Sequence, residues 1–499
     1  MKKIFIHLIL LLFIHKISAQ APNIQWQKSL GGSLYDKAKS VIELGDGGYL
    51  IAGNSQSSNQ DLSFNHGMFD WWIVRLNKTG NIVWKKTLGG TLDDYVRQVI
   101  LTPDGSFLCI GETQSRNGDV TGYIDSIDFW VVKIDASGNV IWKKCYGGDR
   151  IDRGYSACVA HDGNLMLVGV TESMAPYVLN NHGIADYLVI KIDLLGDIIW
   201  QKTYGGNDVD ECKSIIKTSD GGYLLSGNSR SSNGNLNNNK GELDIWVVKI
   251  NADGDIQWQS NFGGSKSDYA NTIMEDKNGN FLIAGETYSF DFDAIENHSN
   301  SISRDYFVIK LNSQGQKIWI RCYGGSDNEY ARGIIETNAD EYVIVGESYS
   351  NDGQAPNNKG SADFWLIKVN PINGDLIWQK KYGSDGHDEP NDLILTHDND
   401  FVTVGNTFPI ENLFDVSAKY GDDDMWIVKL FNNDCIKKLT LTNDLIAGTR
   451  EYLTSESIIG SAKILDSNII YSAGKSILLE KGFSTLNGST FQAKIEGCN

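Results

Sequence analysis

The side chains of this sequence that could do chemistry are mostly carboxylates, and they recur at fixed spacing. Ten residues after each of seven tryptophans stands an acid: Asp36, Asp94, Asp152, Asp210, Asp268, Glu329 and Asp388. A second acid follows in every copy, at Asp70, Asp128, Asp186, Asp244, Asp305, Asp363 and Asp424. Such a set suits Ca²⁺, which takes about six to eight oxygen ligands. No dense D-x-D-x-D-G loop accompanies it, however. An acid present in every copy answers a need that every copy has. Two such needs are accepting from loop N–H groups and pairing the base five residues on, which is Arg75, Lys133, Lys191, Lys249, Lys310, Lys368 or Lys429. The reading is structural, and no metal is expected.

Two histidines, His66 and His182, stand four residues before the second acid, a place held by Lys240 and Lys359 in other copies. Zinc needs ligands converging at close range, and these belong to the first and third copies. The seventh copy departs from the others, with Gly383-Ser384 where they have Gly-Gly, and it adds Asp385, His387 and Glu389 around Asp388. These are the candidates for acid–base chemistry if they meet at the mouth of a channel together with a sizeable pocket. Outside the repeat there is no nucleophile signature, phosphate loop or paired-carboxylate motif. The expectation is no catalytic residue and no cofactor.

The elements that must hold these residues follow from the repeat. Trp26, Trp84, Trp142, Trp200, Trp258, Trp319 and Trp378 recur at intervals of 58, 58, 58, 58, 61 and 59 residues. A glycine stands twenty-seven residues after each: Gly53, Gly111, Gly169, Gly227, Gly285, Gly346 and Gly405. In one copy, apolar runs at 98–101 and 107–111 flank the turn Thr102-Pro103-Asp104-Gly105. A third run at 129–134 leads through Asp135-Ala136-Ser137-Gly138-Asn139 into a fourth at 140–146. Each unit therefore reads as a four-stranded antiparallel meander, with strands a, b, c and d and no competing helical period.

The sequence holds seven a-b-c sets, the last ending at Phe431, and seven d strands, of which the first (24–30) precedes any a strand. The arithmetic closes if that early strand completes the seventh sheet. The result is a seven-bladed β-propeller, whose closure hides the two edges an open array would leave exposed, whereas a solenoid would need capping repeats that are not visible. The repeated tryptophans are read as packing groups between neighbouring sheets, where truncating a buried Trp to Ala costs about 3–5 kcal/mol. The d-to-a and b-to-c connections fall on one face. The b-to-c loops carry nearly all the length variation, and aromatics that differ between copies (Phe64, Tyr123, Tyr177, Phe290, Phe292, Phe408 and Phe414) lie in them or beside them.

Met1-Lys2-Lys3, an apolar run through residue 14 and Ile17-Ser18-Ala19 have the layout of a secretory signal peptide, too short to span a bilayer. Its removal takes away Lys2, Lys3 and Lys16 and moves the formal charge from −19 to −22. So acidic a chain disfavours nucleic acid and anionic lipid as partners. No other stretch approaches 18 apolar residues, so no membrane-spanning segment is expected. Seven cysteines in 499 residues are not a disulfide scaffold. Cys435 and Cys498 bracket the last segment, where a bridge would be worth about 4 kcal/mol and export would permit it; sequence alone leaves that pairing open.

Units such as "IDASGNVIWKKCYGGDRIDRGYS" resemble the secreted β-propeller repeats of Bacteroidetes, over residues 24 to about 431. The pattern D-x-x-G-x-x-x-W is also similar to the tryptophan-docking motif of pyrroloquinoline quinone propellers. Those enzymes usually have eight blades and an adjacent cysteine pair, and this sequence has neither. In the tail, "YLTSESI" (452–458) and "YSAGKSI" (471–477) echo each other nineteen residues apart, with "FQAKI" (491–495) as a third echo. With "LEKGFSTLNGSTFQAKIEGC" this segment resembles the three-coathanger stack domain of secreted Bacteroidetes proteins, which implies a small stack of β rungs.

The expected organisation is a signal peptide (1–19), an all-β seven-bladed propeller (20–433) and a small β-stack domain (434–499). The expected role is an exported or cell-surface, non-enzymatic scaffold presenting its loop-rich face to a protein or glycan. The alternative is a propeller enzyme acting on glycans, or a quinone-dependent oxidoreductase.

Overall fold

The computed structural model describes residues 21–174, 178, 180–236, 238–298, 303–432, 436–441, 445–460, 463–473, 476–479, 484–485 and 490–494. The signal-peptide reading, Tyr177 and the Cys435–Cys498 pair lie outside these residues. Alternating apolar and polar residues broken by Gly/Asp/Asn turns favour short strands, and the described propeller residues contain no helix. Blade 1 runs a Asp36–Glu43, b Tyr49–Ser55, c Asp70–Leu76 and d Ile82–Leu88, hydrogen-bonded in that order, and blades 2 to 6 repeat it. Blade 7 takes a, b and c from His387–Leu395, Phe401–Phe408 and Asp424–Leu430, and its d strand is Ile24–Leu30. Trp26 pairs with Lys429, Gln27 with Val428, Lys28 with Ile427 and Ser29 with Trp426, all antiparallel. The ring is closed, as the repeat arithmetic requires.

The core lies between blades rather than within them. One cluster joins Trp71, Ile73 and Leu88 of blade 1 to Val99, Trp130 and Val132 of blade 2. Another joins Leu30, Val404 and Ile427 of blade 7 to Val41, Ile51 and Trp72 of blade 1. The deepest tryptophans are those of strand c (Trp71, Trp72, Trp130, Trp246, Trp365 and Trp426), all fully buried.

The repeated d-strand tryptophans pack between blades but nearer the rim than expected. Trp26, Trp84, Trp142, Trp200 and Trp258 are half-buried, and only Trp319 and Trp378 are buried. Strand d is the outermost strand, so one side of each indole meets solvent. The other side lies on the c–d hairpin of the next blade: Trp84 Nε1 donates to Ala136 O (3.2 Å) and Trp142 Nε1 to Leu194 O (3.0 Å). Truncating the half-buried five should therefore cost less than the full-burial figure.

Every strand a carries a β-bulge at the same place, between Ala38 and Ser40 in blade 1 and at the equivalent positions in the other six. The repeated strand b glycine explains it. A Cβ on Gly53 would overlap Lys37 O, one on Gly285 would overlap Tyr269 O, and the other five meet the matching carbonyl in the same way. Only glycine lets the bulged backbone come that close.

The tail is built differently. Leu445–Gly460 and Lys463–Ala473 pair in parallel, with Tyr452 opposite Tyr471, and Ser457 of the first strand faces Ser476. Both are offsets of nineteen residues, the interval of the sequence echo.

Substituting Gly285→Ala should cost about 1–3 kcal/mol by forcing strands a and b apart at the bulge. Denaturant unfolding measures it, and an unchanged midpoint would contradict the steric reading.

Candidate functional site

The repeated carboxylates, the bulge residues and the loop aromatics occupy different places in the ring. The carboxylates are all fully buried. Asp94, which opens strand a of blade 2, accepts from Gly90 N–H (2.7 Å), Ser115 Oγ (2.8 Å) and the Thr113 hydroxyl. Asp36, Asp210 and Asp268 repeat this arrangement, and Glu329 does so with its longer side chain. On strand c, Asp70, Asp186, Asp244 and Asp363 each accept from the backbone N–H four residues earlier, at 2.6–2.8 Å, and so do Asp128 and Asp424. In Asp305 the loop is longer and the donor is His298 N–H, 2.7 Å away.

These acids do not pair the base five residues on, because five strand residues span about 17 Å. The bases reach instead to the a–b turn at the other end of the blade: Lys133 to Asp104 (2.6 Å), Lys191 to Asp162 (2.7 Å), Lys429 to Asp398 (2.8 Å) and Arg75 to Asp46 (2.6 Å).

The two acid series meet across the d–a glycine. A Cβ on Gly205 would overlap Asp186 Oδ1 and lie 2.7 Å from Asp210 Oδ2. In all seven strand c acids the Oδ1 atom has no donor. Burial, followed by the neighbouring carboxylate, raises these groups: Asp128, Asp244 and Asp363 to about 7, Asp94 and Asp210 to about 6. Each pair holds a proton readily, as two close buried carboxylates must.

His66, His182 and His298 each turn Nδ1 to the strand c acid of their own blade, at 2.8, 2.6 and 2.9 Å. They do not share a site. Among the described residues no group of three or more His, Cys, Asp or Glu side chains is placed to hold a metal.

The blade 7 candidates separate. Asp388 has the common structural role, accepting from Ser384 N–H (2.6 Å). Asp385 caps the b–c loop, accepting from the N–H groups of Ile410 (2.9 Å) and Asn412 (2.7 Å). His387 Nε2 lies 2.8 Å from Tyr349 Oη and 3.3 Å from Glu347, which raises its pKa first through that hydrogen bond. Glu389 faces Lys39 at 3.8 Å and, despite burial, is held at about 2 by Lys39, Arg332, Lys37 and His387.

The residues that the sequence did not single out are the bulges themselves. A bulge re-aims its side chain, and here all seven point into the central channel. Lys39, Arg97, Lys213 and Arg332 are cations, and Tyr155, Asn271 and Asn391 are neutral. The position holds Lys, Arg, Asn or Tyr and its flanks vary as well, so nothing in the repeat marks it.

On the loop face, one turn of the b–c loop is pinned by an N–H to the d–a glycine carbonyl, as from Asp119 to Gly89 (2.7 Å). The residue before that bond takes φ > 0: Gly118 (68°), Gly234 (69°) and Gly353 (57°), but Gln60 (56°), Phe292 (49°) and Phe414 (45°) in blades 1, 5 and 7. Phe292 and Phe414 are also 63% and 62% exposed.

No family model matches the chain. A regulatory protein of Caulobacter vibrioides, FlaEY, is 25% identical over 224 residues, covering 41% of this chain and 23% of that protein. The chain thus spans about a quarter of the length of the curated relative it matches. Among solved structures, a Bacteroides caccae protein of unknown function aligns over 66% of this chain and 93% of its own, with 14% identity and a TM-score of 0.37. The extracellular domain of a hybrid two-component system from B. thetaiotaomicron aligns over 84% and 49%, with 10% identity and a TM-score of 0.42. Sqt1 of Chaetomium thermophilum aligns over 83% and 100%, with 9% identity and the same TM-score.

The carboxylate pairs set the pH response. Their folded pKa lies above the ordinary carboxylate value of 3.8, so their contribution is fully present below that value and is lost as pH rises through about 6–7. Thermal unfolding at constant ionic strength should give a higher midpoint at pH 5 than at pH 8, and a midpoint rising over that interval would contradict the pairing.

Proposed function

We propose that the protein is an exported, non-enzymatic binding scaffold whose loop-rich propeller face docks a protein or a glycan. The observation that carries this reading is the pair Phe292 and Phe414. A bulky side chain at φ > 0 costs about 1–2 kcal/mol relative to glycine, and neither ring recovers that cost by burial. Strain retained at an exposed aromatic points to a contact made by that ring. Phe290 and Ile295 extend the first patch, and Ile410 and Leu413 the second; all are exposed. Most of the exposed large apolar side chains of the described residues lie in the b–c and d–a connections of this face.

Export is supported by the charged, apolar and small-residue order of the first nineteen residues. The tail, with its parallel rungs, is read as a separate accessory β domain. Similarity to a protein named as regulatory agrees with a role in binding.

The test is a glycan array and a pull-down with the mature chain, run beside the F292G/F414G variant. The variant should melt higher, because the strain is relieved, and should lose the ligand that the wild-type protein retains. Full binding by the variant, or silence in both assays together with turnover of a polysaccharide or quinone substrate, would overturn the reading.

A further inference from the structure

The central channel has a charge opposite to that of the chain. The whole sequence carries −19, yet of the charged side chains lining the cavity at the channel's waist, four are cations (Lys39, Arg97, Lys213 and Arg332) and one, Asp392, is an acid. Asp392 is already engaged, accepting from Val41 N–H (2.9 Å) and Leu393 N–H (2.8 Å), and burial pushes its carboxyl up to about 6.

The glutamates that pair with the arginines stand on strand b, one layer out from the axis. Glu112 takes Arg97 (2.8 Å) and also Arg153 (3.2 Å), and Glu347 takes Arg332 (3.2 Å) and also His387 (3.3 Å). Each acid is shared with a second basic group, and burial is outweighed by the surrounding carboxylates, which hold both guanidiniums above their ordinary pKa. Three buried donors at the channel have no protein acceptor: Arg97 Nε, Arg332 Nε and Asn391 Nδ2. Burial first, and then the charges of Arg97, Lys37 and Arg332, lower the Lys39 ammonium to about 8 against the pull of Glu389.

We propose that the channel binds one small, multiply charged oxyanion, of the size of inorganic phosphate or a short dicarboxylate. Such a group would accept from the Lys39, Lys213 and arginine N–H groups that line the cavity, and it would bring negative charge to the four cations that the bulges place around one axis. The cavity measures about 130 Å³. Drug-sized ligands occupy roughly 300–1,000 Å³, so the space takes a group of a few heavy atoms and not a sugar chain or a peptide. The inference is independent of the loop-face reading, because the residues belong to strand a and not to the b–c loops.

Isothermal titration of the full chain with phosphate and, separately, with malonate tests it, with sodium chloride holding ionic strength constant. Saturable binding of one anion per chain is expected, from phosphate, malonate or both, with a rise in melting temperature. Lys39→Gln and Lys213→Gln should each fold and each weaken binding about tenfold or more, the scale of one lost charge-assisted hydrogen bond. Absence of binding, an equal effect from chloride alone, or unchanged affinity in both lysine variants would overturn the proposal.

Discussion

A ring of four-stranded sheets closes only if its first and last sheets are tied, and here seven residues do it. Ile24–Leu30 adds to Asp424–Leu430, and Leu30 enters the core cluster that binds blade 7 to blade 1. Without that strand, Asp424–Leu430 would present an unpaired backbone row. The packing between the two terminal blades would also lose its outer layer. Because the core lies between neighbouring blades, the cluster that joins blade 7 to blade 1 exists only when the circle is complete. The circle is also what brings seven bulges to one axis.

The structure separates residues by whether they repeat. Those present in every blade solve a problem of the blade. The acids satisfy N–H groups in tight connections, the strand b glycine admits the bulge, and the base on strand c anchors the a–b turn. Those that differ are released from that duty, and they lie at two places: the bulge position on the axis and the left-handed turn of the b–c loop. In both, a repeated device fixes where the side chain goes while leaving its chemistry free.

Much of this was legible in the sequence, for reasons that can be named. The blade count and the closing strand followed from counting tryptophans and asking where an unpaired d strand could go. The strand boundaries followed from Gly, Asp and Asn turns. What was not legible depended on three-dimensional proximity. Nothing in the spacing of Asp186 and Asp210 tells that they meet across Gly205. Nor does the Asp128-to-Lys133 spacing reveal that the lysine turns away to Asp104. Lys39, Arg97, Lys213 and Arg332 were invisible because no spacing or repeat marks them in the sequence, and only the bulge makes them a set. The d-strand tryptophans lie nearer the rim than the sequence suggested, since its periodicity does not say which strand is outermost.

Hydrogen–deuterium exchange of the amides in residues 24–30 tests the closed ring most directly. If the strand is an integral part of blade 7, the ladder amides it shares with Asp424–Leu430 exchange only through global unfolding, as slowly as those in the central strands of blades 3 and 4. Rapid exchange of those amides while the central blades remain protected would show a ring that opens at this seam, and the account built on its closure would fail.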